Sequence, residues 1–165
     1  MLRLTRWLIP ALMVVALPAM AQQHTATNVA FNPNAAAISP AVFAQSKMKI
    51  DSVVAIADAA DGLDHAAFGG KTRLWRYRVE CHYNTATKEI CKANFLFITD
   101  SLNFRKIYYF KNNNLIKITE DSTVYYQVGD HLINDQGGMA TPTVQKILLS
   151  VITDTWQGIY AALFP

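Results

Sequence analysis

LWRYRVECHYNTATKEICKANFLFIT, residues 74–99, decides the fold. Apolar and polar side chains alternate along Leu74–Tyr83 and again along Ile90–Thr99, the period of a half-buried strand. Asn84–Lys88 between them has turn composition, and a connection this short joins antiparallel neighbours only. With Cys81 and Cys91 facing each other, the register sets Trp75 opposite Phe97, Tyr77 opposite Phe95, Val79 opposite Ala93 and Tyr83 opposite Glu89. One face is then aromatic. The other carries Arg76, Arg78, Glu80, His82 and Lys92, with Glu80 directly opposite Lys92, a favourable cross-strand pair.

The same alternation continues downstream. Phe104–Phe110, Leu115–Thr119 and Thr123–Val128 read as further strands, separated at Asp100–Asn103, Asn112–Asn114 and Glu120–Ser122 by turn formers. Beyond the Asn134–Gly138 loop, Pro142 opens a helix with Thr141 placed to cap it. Leu148, Val151, Ile152, Trp156, Ile159 and Leu163 line one side of that helix, the stripe of an element that covers a sheet. Lys47–Ala60 is less decided. Ile50, Val53, Val54 and Ala57 favour a helix, while the run Val53-Val54-Ala55-Ile56 also suits a buried strand. The expected class is α+β: an antiparallel meander of about five strands with the C-terminal helix on its aromatic face.

Met1–Ala21 reads as a cleaved signal peptide: Arg3 and Arg6, an apolar run from Trp7 to Leu17, then the small-residue pattern Ala19-Met20-Ala21. The run falls short of the roughly 20 apolar residues that span a bilayer. Gln22–Gln45, rich in Ala, Asn and Pro, reads as a flexible arm with a short helical turn after Pro40, and residues 46–165 as a single domain. Export makes a Cys81–Cys91 disulfide the expectation. The spacing is unlike the Cys-x-x-Cys of redox-active pairs. The expected location is the periplasm or the exterior of a bacterial cell, with no transmembrane span in the processed chain.

Removing residues 1–21 takes away two arginines and lowers the formal charge from +3 to +1, which leaves little attraction for nucleic acid. The charge is polarised, however. Lys71–Lys117 holds ten basic residues against three acidic ones, whereas from Ile118 onward Lys146 stands alone against five acids. Arg76, Arg78 and Lys92 are the candidate partner-binding residues. Asp61, Asp64 and His65, and separately Asp130 and His131, are the nearest approach to metal-ligand or acid–base groupings, and both fall in loop-like sequence. No serine stands in a nucleophile-elbow setting. No catalytic residue, metal ligand or cofactor site is therefore expected. The leading expectation is a non-catalytic binding protein acting by protein–protein contact, such as an inhibitor or immunity-type protein of the envelope. A small-molecule or lipid carrier with a pocket between sheet and helix is the second. A hydrolase with a spatially assembled site is the third.

Overall fold

The computed structural model describes residues 38–71, 76–98 and 103–165. The expected signal peptide, most of the expected arm and Trp75 lie outside them. Helix α1 (Pro40–Ala59) precedes seven strands: β1 (Asp64–Lys71), β2 (Arg76–Asn84), β3 (Glu89–Ile98), β4 (Asn103–Lys111), β5 (Asn114–Glu120), β6 (Thr123–Val128) and β7 (His131–Asn134). Helix α2 (Pro142–Leu163) follows. The strands pair in sequence order, every neighbour antiparallel. The class is α+β as expected, with seven strands rather than about five. Strand β1 escapes sequence reading because Gly69-Gly70 looks like a loop. It pairs with β2 along its whole length, and glycine is needed where the Tyr77 ring lies over Gly70, since any Cβ there would sit 2.3 Å from the ring. Strand β7 is only four residues long.

Both helices start as their sequences dictate. Pro40 and Pro142 occupy first-turn positions, where no amide hydrogen is needed. Ser39 Oγ accepts from the Val42 amide at 3.3 Å, and Thr141 Oγ1 from the Val144 amide at 3.4 Å. The Pro40 turn therefore does not stop but runs on to Ala59. Tight turns are built where the sequence permits left-handed backbone: Asn112 and Asn113 both take positive φ in the two-residue β4–β5 hairpin.

Helix α2 covers one face of the sheet. Leu148, Ile152, Ile159 and Leu163 pack on Val79, Cys81, Ile90, Phe95, Phe97, Tyr108, Phe110 and Ile118. The buried Tyr108 hydroxyl donates to the Leu148 carbonyl at 2.9 Å, and Trp156 lies on Phe110 at 4.7 Å between ring centroids. Helix α1 lies on the opposite face, where Val54 and Ala57 join Tyr109 in a second, smaller core with Ile50, Cys91, Ile107 and Ile116 at its margin. This two-sided cover accounts for the abundance of aromatics. Tyr108 and Phe110 serve the α2 face, Tyr109 and Tyr126 the α1 face, and all four are buried.

The expected register of the central hairpin is wrong by two residues. Tyr77 pairs with Phe97, Val79 with Phe95, Cys81 with Ala93, Glu80 with Asn94 and His82 with Lys92. An even shift preserves faces, so the aromatic side stays aromatic. The expected disulfide does not survive. A bulge between His82 and Tyr83 leaves Cys91 as the extra residue of β3, turned toward α1, while Cys81 is buried on the α2 face. Both cysteines are free thiols, with the sheet between them. A second bulge, between Tyr109 and Phe110, makes Ile116 the extra residue of β5. Cys91 and Ile116 both pack beneath α1, so the two irregularities add apolar surface where the helix sits.

Two matching clamps fix α1. Asp51 accepts from Lys117 Nζ at 2.8 Å and from the Tyr126 hydroxyl at 3.1 Å; Asp58 accepts from Lys92 Nζ at 2.6 Å and from the Tyr109 hydroxyl at 3.0 Å. In each clamp the Lys and Tyr are directly paired residues of the sheet, Lys117 with Tyr126 and Lys92 with Tyr109. The two aspartates are seven residues apart, two helical turns, and so share one side of α1. Among the described residues no helix is long and apolar enough to cross a membrane.

Candidate partner-binding face

Helix α1 reaches from β6 across to β3 and leaves part of its own sheet face bare. On β1, His65, Ala67, Gly69 and Lys71 point to that side, and all four are exposed. Arg76 and Arg78 follow on β2, Leu96 and Ile98 on β3, and Arg105 on β4, again all exposed. Leu96 and Ile98 are 38% and 43% exposed, unusual for aliphatic side chains in the middle of a sheet.

A polar chain crosses this bare area. Arg78 Nη2 lies 3.0 Å from Glu80 Oε1; Asn94 Nδ2 donates to Glu80 Oε2 at 3.3 Å; Arg105 Nε donates to Asn94 Oδ1 at 2.7 Å. Exposed ion pairs of this kind contribute little stability, about 0–1 kcal/mol. Their consequence is geometric. Two guanidinium groups are held in place, each with N–H donors left to receive a carboxylate from outside.

The expected trio of binding residues is thus divided. Arg76 and Arg78 belong to the bare face. Lys92 does not: its side chain is only 16% exposed and its ammonium is committed to Asp58. The expected Glu80–Lys92 pair is replaced by Glu80–Arg78 and Lys92–Asp58. Arg105, Lys71, Leu96 and Ile98 are the additions. Arg105 was in reach of sequence reading, since alternation along Phe104–Phe110 puts it opposite the Phe104 and Tyr108 side. Lys71 required recognition of β1.

His65 and His82 face each other across β1 and β2 on this same side, with ring centroids 5.1 Å apart and planes at 55°. Burial, His65 and Lys92 hold the His82 pKa below its ordinary value, against the weaker pull of Glu80 and Asp58. The sequence groupings fare differently. Asp64 and His65 are successive strand residues on opposite faces, and the Asp64 carboxylate accepts from the Thr85 hydroxyl at the β2–β3 turn. Among the described residues no three His, Cys, Asp or Glu side chains form a metal-binding group. A cleft of about 150 Å³ opens between the end of α1 and the strand ends where β3 starts and β4 finishes, lined by Val53, Ile56, Ala57, Leu63, Cys91 and Phe110. That is below the roughly 300 Å³ at which small-molecule pockets begin. Comparison of the chain with protein-family models, curated proteins and solved structures finds no match.

Proposed function

We propose that the chain is an exported, non-catalytic binding protein whose bare sheet face docks an acidic surface of another envelope or secreted protein, as an inhibitor or immunity-type protein does. The observation that carries this reading is the array of Lys71, Arg76, Arg78 and Arg105 around exposed Leu96 and Ile98, with both central guanidinium groups oriented by Glu80 and Asn94. Aliphatic side chains ringed by positioned charges match the anatomy of a protein interface: a desolvated centre and a charged rim that selects and orients the partner. The carrier alternative has less support. The space between the sheet and α2 is filled by Phe95, Tyr108, Ile118 and Leu148, each at most 1% exposed.

The test is capture of partners from envelope extracts by the processed chain, run alongside R78E/R105E and a charge-matched control, K111E/K146E, whose residues are exposed elsewhere. A stoichiometric partner should be retained by the wild type and the control. R78E/R105E should lose at least about tenfold in affinity, 1.4 kcal/mol. Equal retention by both double variants, or equal loss, rejects the reading.

A further inference from the structure

The contact between His65 and His82 has a geometry that stacking does not require. The two residues are direct cross-strand partners, so their backbones are fixed relative to each other, and both side chains leave the sheet on the α1 face beyond the end of the helix. Their planes are tilted by 55° instead of lying parallel. Two imidazoles bound through nitrogen at about 2.0 Å to one tetrahedral ion hold their ring centroids about 5 Å apart. The observed separation is 5.1 Å.

The charged side chains beside the pair are themselves engaged in ion pairs. Lys92, directly opposite His82, is paired with Asp58 at 2.6 Å. Glu80, the neighbouring side chain of β2 on this face, is likewise paired with Arg78, and Ala67 beside His65 on β1 adds no charge. Paired imidazoles select borderline ions such as zinc over calcium or magnesium, which prefer oxygen.

We propose that His65 and His82 form a two-imidazole chelate for zinc or a similar borderline divalent ion on the β1–β2 hairpin, with water or an incoming carboxylate completing the coordination sphere. The site lies on the same face as the arginine array but uses none of its arginines, and its test does not depend on any protein partner.

The experiment is calorimetric titration of ZnCl₂ into the processed chain without an affinity tag, repeated with H65A, H82A, H24A and H131A. A single site per chain should appear. H65A and H82A should each weaken it by more than about tenfold, the scale seen when a metal's supporting groups are removed, whereas H24A and H131A should match the wild type. Zinc binding that survives either H65A or H82A, or that is lost equally in H131A, overturns the proposal. So does an absence of binding by the wild type. Melting of the metal-free variants separates loss of the site from loss of the fold. Ring-proton NMR of the unaltered protein supplies a second readout: zinc should shift the His65 and His82 resonances together and leave His131 in place. Shifts confined to His24 or His131 would overturn the assignment.

Discussion

Lys106 places a charge inside the sheet's main core. It shares the α2 face with Phe104 and Tyr108 and is 4% exposed. Its ammonium lies 2.9 Å from Glu120, the residue directly opposite on β5. Removing one partner of such a pair strands the other charge, whereas replacing the buried charge by an apolar chain of similar length does not. With Glu120 about a third exposed, water can reach the stranded ammonium, so E120A should destabilise by roughly 1–2 kcal/mol, while K106M costs a fraction of that, as read by chemical denaturation. A second consequence at this scale is alkaline sensitivity. Burial pushes the Cys81 thiol from 9.0 up to about 12. Burial also raises the Tyr108 and Tyr109 hydroxyls, helped by Glu120 and Asp58 respectively. For Lys117, burial acts to lower the pKa, but the hydrogen bond and charge of Asp51 and Tyr126 outweigh it and the net shift is upward. Each group keeps its proton to higher pH folded than unfolded, so each contributes stability that is lost as pH rises. The melting temperature should hold from neutral pH to about 9 and fall above it. In Y109F the decline should be shallower. Lys106 was not legible in advance as a buried charge. Alternation along Asn103–Lys111 puts it on the aromatic side, but only the β4–β5 register identifies Glu120 as its partner.

Helix α1 is attached by polarity as much as by apolar burial. It buries Val54 and Ala57 yet exposes Val42, Met48 and Ile56. The Asp51 and Asp58 clamps hold it at two points along its length. Charge-assisted hydrogen bonds to half-buried partners are each worth roughly 1.5–3 kcal/mol, and here solvent access trims that figure. D51N and D58N should each cost about 1 kcal/mol, and the double variant should cost more than either. Amide hydrogen exchange is the discriminating measurement: it should accelerate within residues 47–58 while amides of β2–β4 keep their protection. Helical spacing in Lys47–Ala60 was visible against the competing strand pattern. What could not be read was the seven-residue repeat of the aspartates, since its meaning comes from two Lys–Tyr pairs far along the chain. The strands divide in the same way. Five announce themselves by alternation, whereas β1 is disguised by its glycines and β7 by its brevity.

Across the whole molecule the two sheet faces have different cover. One is covered by the 22 residues of α2; the other is crossed by α1 and, among the described residues, left open over β1, β2 and the Leu96–Ile98 and Arg105 parts of β3 and β4. The concentration of basic residues between Lys71 and Lys117 foreshadowed an electropositive sheet, and Arg76 and Arg78 were legible as part of it. Lys92 was assigned to the same patch because a strand face, taken alone, does not reveal that a helix ends over it and supplies Asp58. The bulge in β3 has a practical corollary. Cys81 lies in the core shared with α2, and Cys91 lies under the end of α1. Burial raises the pKa of both thiols, with Glu89 adding to the effect at Cys91, so neither is an eager nucleophile while the protein is closed. Cys81 becomes alkylated only when the core opens, whereas Cys91, half-buried in the lining of the cleft at the end of α1, is within reach of reagent sooner. The chain thus carries two clocks of different hands: Cys91 runs fast and quickens when α1 loosens, and Cys81 counts the unfolding of the whole.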